Sequence, residues 1–152
     1  MAKRYFEDFA VGEKLPLGSR HVTRAEIIAF AAEFDPQPFH LDERVEGGAM
    51  VGGLIASGWH VGGLFMSLLC GGFLLESSSM GSPGIETLKW QRPVRPGDTL
   101  TAFSIVIEAR ASKSRPEMGI VRFRHEIVNQ AGDVVMWLEN PVFFGSRRGG
   151  AS

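Results

Sequence analysis

Asp35 and His40 stand five positions apart in the segment Phe34-Asp35-Pro36-Gln37-Pro38-Phe39-His40-Leu41-Asp42. A carboxylate and an imidazole are the side chains best suited to moving protons near neutral pH. Pro36 and Pro38 fix their own φ angles and push Asp35 and Gln37 toward extended backbone. A stiff loop can hold the two groups convergent on one water, an orientation that a mobile loop loses. The segment lies between an apolar helical pattern and an uncharged glycine-rich run, so it is expected to line a partly dry pocket. An isolated Asp and His are more often a solvated acid and a backbone-satisfied histidine. The double-proline frame and the helix that follows favour the chemical reading.

That helix begins in Gly53-Leu54-Ile55-Ala56-Ser57-Gly58-Trp59-His60. Ser57 is a natural N-cap, which puts Gly58 in the first turn with an N–H that has no intrahelical acceptor. Such a donor at the positive end of a buried helix suits an oxygen that gains charge during reaction. Close packing at the helix start would explain Gly58 equally well. His125 reads as a core or pocket histidine, His21 as a surface one, and His60 lacks an acidic neighbour at helical spacing. No zinc-protease, C-x-x-C, phosphate-loop or G-x-S-x-G pattern occurs, so no metal site is expected.

The elements that must position these residues follow from periodicity. Residues 14–22 read as a strand. Thr23-Arg24-Ala25-Glu26 reads as a capping box opening a helix that ends near Phe34, before Pro36. A second helix starts after Ser57 and runs to the Gly71-Gly72 stop. Strands are predicted at 85–92, 99–109, 119–128 and 134–138, with Pro93-Val94-Arg95-Pro96-Gly97-Asp98 as a turn. Val121, Phe123, His125 and Ile127 share one strand face. Helices early and antiparallel strands late make an α+β class, with a sheet wrapped around the long apolar helix and burying its whole circumference.

Composition bounds the rest. The chain has 152 residues, 44% hydrophobic and 22% charged, with a formal net charge of −1. That suits one domain over residues 1–145 and a disordered tail over 146–152. Scattered Lys and Arg with no basic excess argue against a nucleic-acid partner. The single cysteine, Cys70, excludes an internal disulfide and fits a reducing compartment. The first residues reach acids before any apolar run, unlike a signal peptide, so cytoplasm is expected. Residues 49–75 carry no charge and are long enough to span a bilayer, but seven glycines and several polar residues interrupt them. A soluble core helix, with no membrane partner, is the expectation.

Asp35-Pro36-Gln37-Pro38-Phe39-His40 resembles the D-x-N-P-x-H motif of the MaoC-like dehydratases and (R)-specific enoyl-CoA hydratases. Gly53-Leu54-Ile55-Ala56-Ser57-Gly58 is similar to that family's lead into its central helix, and Leu88 through Leu100 to its strand and P-G-D turn. The resemblance covers roughly Tyr5 to Gly145, in family order. It implies a hot-dog fold, an antiparallel sheet around a long central helix, and a homodimer or higher homo-oligomer. It also implies that Asp35 and His40 are the catalytic pair and that the Gly58 amide binds the thioester oxygen. Gln37, Val51, Gly53 and Ser57 fall at substrate-binding positions. Gln37 replaces the usual Asn, and Val51 stands where an aromatic is common. No serine is carried over from the central helix, where Met66 occupies the position.

The implied activity is reversible hydration of a 2-enoyl-CoA to a 3-hydroxyacyl-CoA. It needs no cofactor, since coenzyme A is part of the substrate. Which of Asp35 and His40 is the acid stays open, as do the acyl group and the cations that meet the coenzyme phosphates; Lys89, Arg92, Arg95 and Arg115 are candidates. The alternatives are an acyl-CoA thioesterase on the same fold and a non-catalytic acyl-CoA binding module.

Overall fold

Alternation of Val121, Phe123, His125 and Ile127 with charged residues dictates a strand with one dry face. In the computed structural model, which describes residues 3–44 and 52–148, those four side chains are buried. They belong to β5 (Met118–Val128), the centre of a six-stranded sheet with antiparallel strand pairs. Its order is β1 (Lys14–His21), β4 (Thr99–Ala111), β5, β6 (Val134–Gly145) and β2 (Ser79–Gly81). β3 (Thr87–Trp90) also pairs with β6. Phe9, Phe73, Phe123 and Phe144 pack edge to face or tilted at centroid distances of 4.4–6.1 Å in the core.

Thr23 caps α1 (Arg24–Phe34) by accepting the Glu26 N–H at 3.2 Å. The other half of the expected capping box is not seen. The Glu26 carboxylate turns to Arg20, 3.6 Å away, leaving Oε1 buried with no partner among the described residues. The helix ends where Pro36 requires it, at Asp35 (φ −154°, ψ 68°). Ser57 caps α2 (Gly58–Gly72), which buries His60, Val61, Leu64, Phe65 and Leu69.

The sheet does not enclose the whole of α2. Trp59, Gly63, Met66, Ser67 and Gly71 lie on one exposed stripe, because a single curled sheet covers only one side of a helix. By length and composition, Gly58–Glu76 (19 residues, mean hydropathy 1.5) is apolar enough to cross a membrane. The architecture, a curled antiparallel sheet with a central helix, is the hot-dog fold.

Several strand boundaries shift by a residue or two, and three differences from expectation are larger. β3 is shorter than 85–92, and β6 runs on through Pro141 instead of stopping at 138. Pro141 is tolerated because its carbonyl side faces the gap between β3 and β2, where Ser82 Oγ donates to it at 2.7 Å. Residues 146–148 of the expected disordered tail are held in place: Ser146 is buried and donates to Glu7 Oε2 at 2.9 Å, and Arg147 pairs with Asp8 at 2.8 Å, while 149–152 lie outside the described residues. Those carboxylates on the N-terminal turn neutralise and anchor what composition alone reads as loose.

Candidate active site

The backbone of the Asp35–Leu41 loop is tied to the segment before α2, which is tied in turn to Val94. The Ile55 N–H donates to Phe39 O at 3.1 Å, and the Ala56 N–H to Val94 O at 2.8 Å. A short 3-10 turn over Pro38–His40 then aims the imidazole back at Ile55. His40 Nδ1 lies 2.7 Å from the Ile55 carbonyl. A carbonyl only accepts, so Nδ1 carries a proton and Nε2 is left facing Asp35 Oδ2 at 3.3 Å. The ring is 5% exposed.

Both oxygens of Asp35 are engaged. Gln37 Nε2 donates to Oδ1 at 2.7 Å, and Ser57 Oγ donates to Oδ2 at 2.7 Å. These hydrogen bonds, Ser57 foremost, hold the carboxyl below its ordinary value, with His40 adding a smaller pull in the same direction. Gln37, one atom group longer than the motif's Asn, therefore still reaches the carboxylate.

Asp35, Gln37, His40 and Gly58 open on one cleft of about 430 Å³, walled by Trp59 and Trp90. Gly58 is the first residue of α2, so its N–H has no intrahelical acceptor. Its lack of a side chain is also required for packing: a Cβ there would run into the Trp90 indole, whose Nε1 donates to Gly58 O at 3.0 Å. The close-packing reading of this glycine therefore holds. The two indoles meet edge to face at 5.3 Å and are 65% and 46% exposed. Sequence reasoning did not single them out. A tryptophan following the helix-start glycine and another three residues before Pro93 were the available signals.

The remaining expected site residues separate. Ser57, expected to bind substrate, is fully buried and touches Asp35 instead of the cleft. Gly53 (φ +104°) lies outside the cleft, beside the Arg95 guanidinium. Val51 lies outside the described residues. Among the candidate cations, Arg95 donates to Gly52 O and Arg115 pairs with Glu117, whereas Arg92 lines the cleft. His60 is buried and stacked on Phe30, and His21 is exposed beside Thr99. Among the described residues no cluster of three or more His, Cys, Asp or Glu could hold a metal.

The MaoC like domain family matches residues 8–128, a stretch that contains the whole Asp35–Gly58 constellation. The chain belongs to this family. It is 41% identical to the MaoC-like dehydratase from Rhodospirillum rubrum, covering 94% of this chain and 97% of that one at a TM-score of 0.86. The (R)-hydratase from A. caviae involved in PHA biosynthesis is 28% identical, with 90% and 97% covered and a TM-score of 0.70. The uncharacterized protein YdeM of Bacillus subtilis is 28% identical over 124 residues, 82% of this chain and 86% of its own. The family match and the two structural relatives support a hydratase or dehydratase role in general.

Proposed function

We propose that this MaoC-like protein is a hydro-lyase that reversibly hydrates a 2-enoyl-CoA to a 3-hydroxyacyl-CoA. The observation that carries the reading is the Asp35–His40 contact at 3.3 Å in the same cleft as the Gly58 end of α2. His40 Nδ1 is tied to Ile55, so Nε2 is the ring atom that exchanges protons with a water beside Asp35. The water's oxygen bonds to C3 as one member of the pair takes its proton; that proton passes across the 3.3 Å Asp35–His40 contact and the other member delivers it to C2, so the water supplies both groups added. Charge that builds on the thioester oxygen meets the Gly58 N–H, a donor of the kind worth about 3 kcal/mol of barrier. Hydration changes no oxidation state of an external partner, so water and the thioester suffice without a cofactor.

Trp59 and Trp90 form the apolar wall for the acyl thioester, and Arg92, which lines the cleft, is a cation placed to meet a coenzyme phosphate. We assign the working form as a cytoplasmic homodimer. The charge-free exposed stripe of α2 and the outer edge of β3, which pairs only with β6 among the described residues, support that assembly. The test is a panel of enoyl-CoAs varied in length and branching, followed by enoyl absorbance and by free thiol. Absorbance loss without thiol release is expected. Thiol release alone would make the protein a thioesterase, and tight binding without either change a binding module.

A further inference from the structure

We propose that Ser57 is a positioning residue for Asp35: its hydroxyl fixes the carboxylate's Oδ2 edge against His40 and ties it to the helix end that carries Gly58. Ser57 is 0% exposed, so it meets neither bulk water nor a ligand in the cleft. Its single hydroxyl proton has one direction available. Asp35 Oδ2, at 2.7 Å, only accepts, so Ser57 donates there and its lone pair accepts the Trp59 N–H at 3.3 Å. An N-cap serine ordinarily serves only its own helix. Here the same oxygen joins two segments 22 residues apart.

That bond has two consequences for the proposed hydration, on which only the kinetic part of this inference rests. First, Oδ2 lies between Ser57 and His40, while Gln37 holds Oδ1, so the carboxylate cannot rotate without breaking a bond. Second, hydrogen bonds to the ionised form favour it, and Ser57 is the largest cause holding the Asp35 carboxyl low. His40 is the titratable group that faces Asp35 directly, and Arg92 lines the same cleft. Asp35 therefore stays a carboxylate through the working range, held in register with the Gly58 amide by the residue between them.

The experiment compares wild type with S57A, S57G and S57T. Asp35 ionisation is read by carbon-13 carboxyl NMR without substrate, and hydration of the best enoyl-CoA is read as a pH profile. Glycine is nearly as good a cap as serine, so S57G removes the Asp35 bond while largely sparing α2. S57A and S57G are expected to titrate Asp35 at higher pH than wild type. Their acid limb of kcat/KM should move up in pH, with kcat down roughly tenfold and KM within about twofold, as for a misoriented group. S57T, which keeps the hydroxyl, should restore the wild-type Asp35 titration. Unchanged Asp35 titration in both S57A and S57G, with kcat loss that only tracks a lower Tm, would overturn the proposal. If wild type hydrates no enoyl-CoA, the hydratase reading fails while the NMR titration still decides the role of Ser57.

Discussion

His40 and His125 are both buried, 5% and 1% exposed, and both have their ring nitrogens engaged. His40 carries its proton on Nδ1, toward Ile55 O, and turns Nε2 to Asp35. His125 is the reverse. Asn140 donates through Nδ2 to Ser82, so its Oδ1 accepts the His125 Nε2–H at 3.1 Å, and Ser104 donates to Nδ1 at 2.8 Å. The decisive difference is the partner of Nε2. A carboxylate compensates a positive charge on the ring, whereas an amide does so weakly. Burial therefore pushes the His125 imidazole down to about 4, against a smaller upward pull from Asn140. Position differs as well: His40 opens on a cleft, and His125 lies in β5 between Phe65 and Phe123. Burial alone makes a histidine structural; an acid and an opening make it chemical.

The largest effect that separates the two regions is on turnover. D35N or H40A should lower kcat by about 10²- to 10⁴-fold, the range for loss of a general acid–base group, with folding retained by circular dichroism. H125A should keep turnover per folded molecule within a few-fold but lose about 3 kcal/mol of stability in urea unfolding. It leaves a cavity against Phe65 and strips Ser104 and Asn140 of a partner. A turnover collapse in folded H125A would erase the distinction.

The same contrast predicts two acid windows. His125 is about 4 when folded and near 6.5 when unfolded, so between those values the unfolded chain binds more protons. Stability therefore falls as pH drops from about 6.5 to about 4, by a total near 3 kcal/mol at ~1.4 kcal/mol per pH unit. His60, also lowered by burial, adds in the same direction. Asp35 works lower down: its depressed carboxyl contributes stability that is present above its unfolded value of 3.8 and is lost as pH falls below it. Urea midpoints at pH 7, 5.5 and 4.5 should decline in wild type and decline less in H125A. Parallel curves would show that His125 is not the group titrating.

Local chemistry explains which parts of this contrast were legible in the sequence. Thr23, Pro36, Ser57 and the Gly71-Gly72 stop punctuate the two helices through contacts within a few residues, and both helices fall where they were expected. The proline frame around Asp35 and His40 is equally local. β2, by contrast, is Ser79-Met80-Gly81, with no alternation to see, and exists because β6 offers it a partner. Ser57 read as a substrate contact because nothing in its neighbourhood announces Asp35, which only the packing of α2 against the loop brings to 2.7 Å. Trp90 meets Gly58 across 32 residues for the same reason.

The smallest expected effects lie one bond further out, where each histidine's partner is itself held. Gln37 holds Asp35 Oδ1, and Ser82 holds the amide of Asn140. Q37A removes a donor to an ionised group that must point correctly, so kcat should fall a few-fold and the acid limb of the rate profile should move to higher pH. Q37N, with its shorter side chain, tests whether reach or mere amide character matters. S82A removes the exposed hydroxyl that accepts from Asn140 at 3.2 Å and donates to Pro141 O at 2.7 Å, and should cost about 1 kcal/mol of stability without moving kcat. A rate effect in S82A matching that in Q37A would mean that the two polar networks are one. Separate outcomes would mean that the outer bond matters to turnover only where it orients a charge.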